Sequence, residues 1–310
     1  MDKKILSPII IFTYRRKINK LIESLLKNKV ASKSELYIFS DGYKNDIDKE
    51  DVLEVRKSLK SISGFNNITI NELEQNNGLA NSIINGVTSI INKYERVIVL
   101  EDDLMVADNF LDYMNEALEY YKENQNIWSI SGYTPNLECL KSYNNDIFLS
   151  VRASSWGWAT WKDRWDKIDW DIKDWDNFKV DKHAINNFNR GGNDMFKMLE
   201  TQMISKIDSW AIRWCYNQFK FSTYTIYPTK SKLINIGFDE KGTHNSDGSN
   251  RWEVISSNKI VKFEDIEVDN DIIECFAKKY NLQLKTKAGY LLKKYGVYKM
   301  AKKIIKLIRK

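Results

Sequence analysis

Val97-Ile98-Val99-Leu100-Glu101-Asp102-Asp103-Leu104-Met105-Val106-Ala107-Asp108-Asn109-Phe110 is the stretch that decides how this chain is read. Four apolar β-formers run straight into three carboxylates, so a buried strand ends where charge begins. Adjacent carboxylates repel one another unless a cation sits among them. A hard divalent ion, Mn2+ or Mg2+, takes one or two such oxygens and fills its remaining positions with water and substrate phosphates. The plain alternative is an acidic turn that caps the next helix. Against it stands a separate cap candidate, Asp108, directly ahead of Phe110, Leu111, Met114 and Leu118 at helical spacing.

Upstream, Ile9 to Thr13, Leu36 to Ser40 and Ile68 to Ile70 read as further strands. Between them Ile18, Leu21, Ile22, Leu25 and Leu26 recur at helical spacing, as do Leu79, Ile83, Ile84, Val87 and Ile91. Strand and helix in alternation predict an α/β fold, Rossmann-like, with a mostly parallel sheet and helices on its faces. Ligands of such sheets bind beyond the carboxyl ends of the strands. Thr13-Tyr14-Arg15, Asp41-Gly42 and the acidic triplet all fall at those ends and are expected to share one crevice. Trp128 to Gly132 reads as another strand.

The 310 residues, 43% of them hydrophobic, suffice for one large domain or two intimate lobes. Cys139, Cys215 and Cys275 are odd in number and form no CxxC pair, which predicts reduced thiols in a reducing compartment and no zinc site. No apolar run approaches the ~20 residues needed to cross a bilayer. The N-terminal apolar run is broken by Ser7-Pro8 and followed by Arg15-Arg16, so it reads as a first strand and not as a leader. A net charge of +6 hides an asymmetry, because Lys278 to Lys310 carries many basic residues and no acidic one. The remainder is acidic, which excludes a broad nucleic-acid surface. In that tail Leu291, Tyr295, Tyr298, Ala301, Ile305 and Ile308 form one stripe among lysines. The pattern suits an amphipathic helix lying on an anionic membrane surface, or one packed on a protein with its lysines solvated.

The segment Val97 to Tyr113 resembles the EDDLxVAxxFxxY segment of the N-acetylglucosaminyltransferase I type of GT-A glycosyltransferase. The resemblance extends patchily over residues 8 to 245. It implies a GT-A fold, with a nucleotide-sugar-binding half over 1–135, an acceptor-binding half over 136–262 and the basic helical tail over 263–310. It implies a metal-dependent inverting enzyme using a nucleotide-sugar donor, such as a UDP-sugar, with Asp103 as direct metal ligand. Glu101 and Asp102 would orient metal-bound water and the donor, and Arg15, Asp41 and Gly78 would lie along the nucleotide. Asp208-Ser209-Trp210 is similar to the family's Asp-x-Trp segment, which supplies the general base. Read without that similarity, Asp208 is better taken as the N-cap of the helix that follows.

Arg213 is offset from the family's arginine, which leaves a phosphate-binding role without support. Ile226 to Trp252 reads as a mobile loop rich in Gly, Asn, Ser and Lys. His244 within it is either a metal ligand or an ordinary loop histidine. More than half of the ten tryptophans crowd into Ser150 to Trp175. Trp156, Gly157 and Trp158 are expected to line the sugar site, and Trp161, Trp165 and Trp170 to form core.

A saccharide or lipid-linked saccharide acceptor, in cell-surface polysaccharide or lipooligosaccharide synthesis, fits a cytoplasmic enzyme held peripherally at the membrane. A nucleotidyltransferase would need a Gly-rich phosphate loop, and Ile11 to Arg16 contains no glycine. A glycosidase could use two carboxylates without a metal. A carbohydrate-binding module would account for the tryptophans but not for the triplet together with Asp208.

Overall fold

A computed structural model describes residues 6–237 and 257–281. Ten strands occur among them: β1 (Ile9–Thr13), β2 (Glu35–Ser40), β3 (Asn67–Glu72), β4 (Arg96–Glu101), β5 (Leu104–Val106), β6 (Ile127–Ser131), β7 (Ile147–Ser150), β8 (Trp158–Trp161), β9 (Tyr224–Pro228) and β10 (Leu233–Asn235). The longer helices are α1 (Asn19–Leu26), α2 (Asp46–Leu59), α3 (Leu79–Tyr94) and α4 (Phe110–Tyr120). After them come the short α5 (Lys162–Trp165) and α6 (Trp175–Phe178), then α7 (Lys182–Phe188), α8 (Met195–Met203), α9 (Trp210–Lys220) and α10 (Asn270–Tyr280).

Eight strands form one sheet in the order β3-β2-β1-β4-β8-β6-β9-β7, while β10 and β5 make an antiparallel pair beside it. The expected α/β architecture is present: β3, β2, β1 and β4 run parallel, and β8 enters antiparallel to β4. The sheet continues unbroken across the expected division near residue 135. From β1 the chain winds outward to β2 and β3, then returns to place β4 on the other side of β1. The connections therefore diverge between β1 and β4, and a crevice opens at such a switch point.

Strand alternation sorts the core into two layers. Ile9, Ile11, Ile98 and Leu100 face α1 and α4 on one side. Ile10, Phe12, Val97 and Val99 meet α3 and the α9 residues Trp210 and Trp214 on the other. A smaller aromatic core, with Phe178, Phe188, Leu199 and Tyr216, joins α6 through α9.

Several expectations change. The stretch expected as a mobile loop from Ile226 holds β9 and β10, because Ile226 and Leu233 are fully buried. Asp108 does not cap α4; the N-cap position is Asn109, whose amide donates to the carbonyls of Asn258 and Lys259. The start of the expected tail is part of the body: Phe263 packs against Tyr113 and Tyr121, and α10 buries Ile272, Ile273 and Phe276. The remainder of the tail, Asn281 apart, lies outside the described residues, so its stripe is not part of the structure described.

The cysteine expectation is also corrected. Cys139 and Cys275 form a disulfide with Cα atoms 6.5 Å apart, fastening α10 to the turn after β6, while Cys215 is a buried free thiol. Bridges of this kind persist in oxidising surroundings, so the cysteine pattern no longer argues for a reducing compartment. The bond closes a loop with a sequence separation of 136, for which chain entropy alone gives an upper figure of about 5 kcal/mol. We expect dithiothreitol, or Cys139→Ser, to lower the melting temperature by several degrees. Three free thiols in the untreated protein would contradict the pairing.

Candidate active site

β4 delivers the acidic triplet to the switch point. Register pairs Glu101 with Phe12, and alternation puts Glu101 on the face covered by α3 and α9. Asp102 Oδ2 accepts the Tyr14 N–H at 3.3 Å, which bridges the crevice between the loops after β1 and β4. Asp103 Oδ2 accepts the Asn235 amide at 3.0 Å, and its carbonyl accepts the Ile236 N–H at 2.7 Å. A Cβ built on Gly237 would lie 2.5 Å from Asp103 Oδ2 and 3.0 Å from Arg16 Nη1, so only glycine lets the chain pass between them.

Burial pushes Glu101 well above the usual carboxylate range, and the charges of Asp103 and Asp102 add to it. Asp102 is pushed up to about 7, first by burial and then by Asp103, against the opposing Tyr14 N–H, Arg16 and Thr13. Desolvation and mutual repulsion thus work against ionising Glu101 and Asp102 beside Asp103.

Asp41 organises the neighbouring turn. Oδ1 accepts the N–H groups of Gly42 and Asn77, each at 2.9 Å, while Oδ2 accepts Gly78 N–H at 3.0 Å and the Asn76 amide at 3.1 Å. Four donors occupy the acceptor positions a carboxylate offers. Asp41, expected along the nucleotide, thus shapes the loop beside it, and its own N–H donates to the Thr13 carbonyl at 3.1 Å. Gly78 ends that loop with φ +74° and starts α3, a backbone shape that favours glycine.

Asp208 reaches Gly78 from a segment distant in sequence, just ahead of α9. A Cβ on Gly78 would stand 4.0 Å from Asp208 Oδ2. The helix cap is Ser209, whose hydroxyl accepts the Ile212 N–H at 3.4 Å. Asp208 is therefore released from capping α9; its carboxylate is 56% exposed, with Oδ1 accepting from Arg213 Nη2 at 3.1 Å.

Not every expected residue joins. Arg15 stands at the rim, paired with Asp48 of α2 at 2.5 Å. Trp158 is a correction: it is 1% exposed and packs against Trp165, Trp210 and Trp214, so it belongs to the core with no face for a sugar. Trp161 and Trp165 are core as expected. Trp156 is half-buried, edge-on to Tyr133 at 4.6 Å. Gly157 serves a close approach: with φ +57°, a Cβ there would meet Leu233 Cδ2 at 2.2 Å. His244 lies outside the described residues.

Arg16 and Asn235 were not singled out by sequence. Arg16 sits beside an equally basic neighbour, and Asn235 becomes visible only through the β5–β10 pairing that folds it over Asp103.

Hard oxygen donors after β4 suit Mn2+ or Mg2+. Among the described residues no three His, Cys, Asp or Glu side chains form a ready metal cage.

No family model matches the chain. Over 80 residues it is 29% identical to the alpha-1,3-mannosyl-glycoprotein 2-beta-N-acetylglucosaminyltransferase of Arabidopsis thaliana, covering 25% of this chain and 18% of that relative. Among solved structures it is similar to residues 1–349 of S. aureus TarS, with 10% identity and a TM-score of 0.41 over 76% of this chain and 61% of that one. It is also similar to the mannosyltransferase PcManGT of Pyrobaculum calidifontis in complex with GDP-Man and Mn2+, with 12% identity and a TM-score of 0.34 over 52% and 46% of the two chains.

Because Ser209 is the cap, Ser209→Ala should cost about 1 kcal/mol of stability, while Asp208→Asn should cost no more than about 0.5 kcal/mol. Denaturant unfolding of the two variants decides; equal losses would make Asp208 structural.

Proposed function

We propose that this chain is a GT-A glycosyltransferase that moves a sugar, with inversion, from a nucleotide-sugar donor to a saccharide acceptor. The observation that supports it is a chain of neighbours at the ends of the parallel strands: Asp102 accepts the Tyr14 N–H after β1, Asp41 after β2 fixes the turn that ends at Gly78, and a Cβ on Gly78 would stand 4.0 Å from Asp208 Oδ2. The 80-residue similarity to an N-acetylglucosaminyltransferase supports it and makes UDP-GlcNAc the first donor to test.

Each group then has a task. Asp103, with Asp102 beside it, would hold Mn2+ or Mg2+, which when bound neutralises charge on the donor diphosphate. The turn from Asn76 to Gly78, whose donors Asp41 takes up, sets where α3 begins and so which backbone stands beside Asp208. Asp208 takes the proton of the acceptor hydroxyl. The hydroxyl oxygen bonds to the anomeric carbon from the face opposite the leaving group. The bond to the diphosphate breaks, and the diphosphate leaves with the electron pair.

The check is a thermal-shift panel of UDP-GlcNAc, GDP-mannose, a CMP-sugar and a dTDP-sugar, with and without Mn2+. Selective binding to the native state raises the melting temperature, and one nucleotide should do so only with metal. Asp103→Ala should abolish that rise. Asp208→Asn should keep it and lower turnover at least a hundredfold. No rise with any of the four sugars would refute the reading.

A further inference from the structure

We infer that Arg213 is a positioning residue for the transfer, holding the Asp208 carboxylate in the orientation from which it takes the acceptor proton; this rests on the functional reading above. The sequence offered Arg213 no role, since its spacing does not suit phosphate. In the structure its side chain is only 13% exposed and its guanidinium makes three directed contacts. Nε donates to the Ser209 carbonyl at 3.2 Å, Nη1 to the Trp170 carbonyl at 3.4 Å and Nη2 to Asp208 Oδ1 at 3.1 Å. The planar fork ties the residue before α9, the cap of α9 and the Trp-rich segment into one unit.

That unit is braced on every side. The Asn217 amide donates to the Asp169 carbonyl at 3.1 Å and its oxygen accepts the Asp169 N–H at 2.9 Å, fixing the loop that carries Trp170. Trp170 packs edge-on to Trp165 at 5.0 Å, and Trp165 donates its indole N–H to Thr88 of α3 at 2.9 Å. Ser209 N–H donates to the Gln202 side chain of α8 at 2.6 Å. Asp208 is the exposed end of an assembly whose other members are half-buried or buried. Without Arg213 nothing in that list touches its carboxylate, which would then sample several orientations; misplacing a reacting group by ~1 Å can cost about a hundredfold in rate.

The test uses the full chain and whichever of the four nucleotide sugars the wild type binds with Mn2+. Release of nucleoside diphosphate is followed with a panel of saccharide acceptors, alongside donor affinity by calorimetry and the melting temperature. Arg213→Gln should lower kcat about ten- to a hundredfold while the donor Kd stays within about twofold. Arg213→Lys, which restores a cation but not the three-way fork, should recover part of kcat.

An unchanged kcat in Arg213→Gln would overturn the inference. So would donor affinity falling in step with kcat, which would make Arg213 a donor ligand, or a melting-temperature loss that Arg213→Lys repairs without recovering kcat. A wild-type chain that binds none of the four sugars sinks the functional reading, and this inference with it, before any variant is made.

Discussion

Negative charge gathered at the end of β4 is the constraint around which the molecule is arranged. A strand buried on both faces delivers Glu101, Asp102 and Asp103 into a crevice where water cannot fully screen them, and desolvation works against ionising them together. The protein supplies partial relief: the Tyr14 N–H and Arg16 from the loop after β1, and the Asn235 amide from β10. The β5–β10 pair exists to bring that last donor across the crevice, and Gly237 lets the chain leave without filling it. In the proposed reaction these are the carboxylates that would hold a divalent cation.

A second set of constraints fixes the turn before α3 and the start of α9. Asp41 uses its whole carboxylate on the turn before α3, which sets where Gly78 lies and hence where α3 begins. On the same side of the sheet, Trp158, Trp165, Trp210 and Trp214 pack α3, β8 and α9 into one block. Large apolar faces with few rotamers suit this task, because they define the distance between two helices with little loss of entropy. The start of α9, and Asp208 with it, is thereby held against the start of α3.

Much of this was legible in the sequence where a segment buries itself by its own pattern. The run Ile9 to Thr13 is β1 to the residue, and the stripe from Leu79 predicts α3. Helix α2 was missed because only Val52, Val55 and Leu59 give it an apolar face amid charged residues. Features set by long-range contact were hidden. Cys139 and Cys275 are distant in sequence, and nothing local shows that α10 returns to β7. Trp158 and Trp156 look alike on paper, yet Trp158 starts β8 and is buried in the core, while Trp156 precedes the turn at Gly157, with φ +57°, and stays half-buried. Likewise the triplet and Asp208 were readable as candidates, but that Ser209 and not Asp208 caps α9 follows only from backbone geometry.

The account stands or falls on where the metal and the diphosphate sit. Crystals soaked with Mn2+ and the nucleoside diphosphate of the bound donor, with data collected at the manganese edge, answer this directly. The account predicts one anomalous peak within coordination distance of the Asp103 carboxylate, with the diphosphate next to it. A diphosphate bound elsewhere, or a peak remote from Asp103, would contradict it.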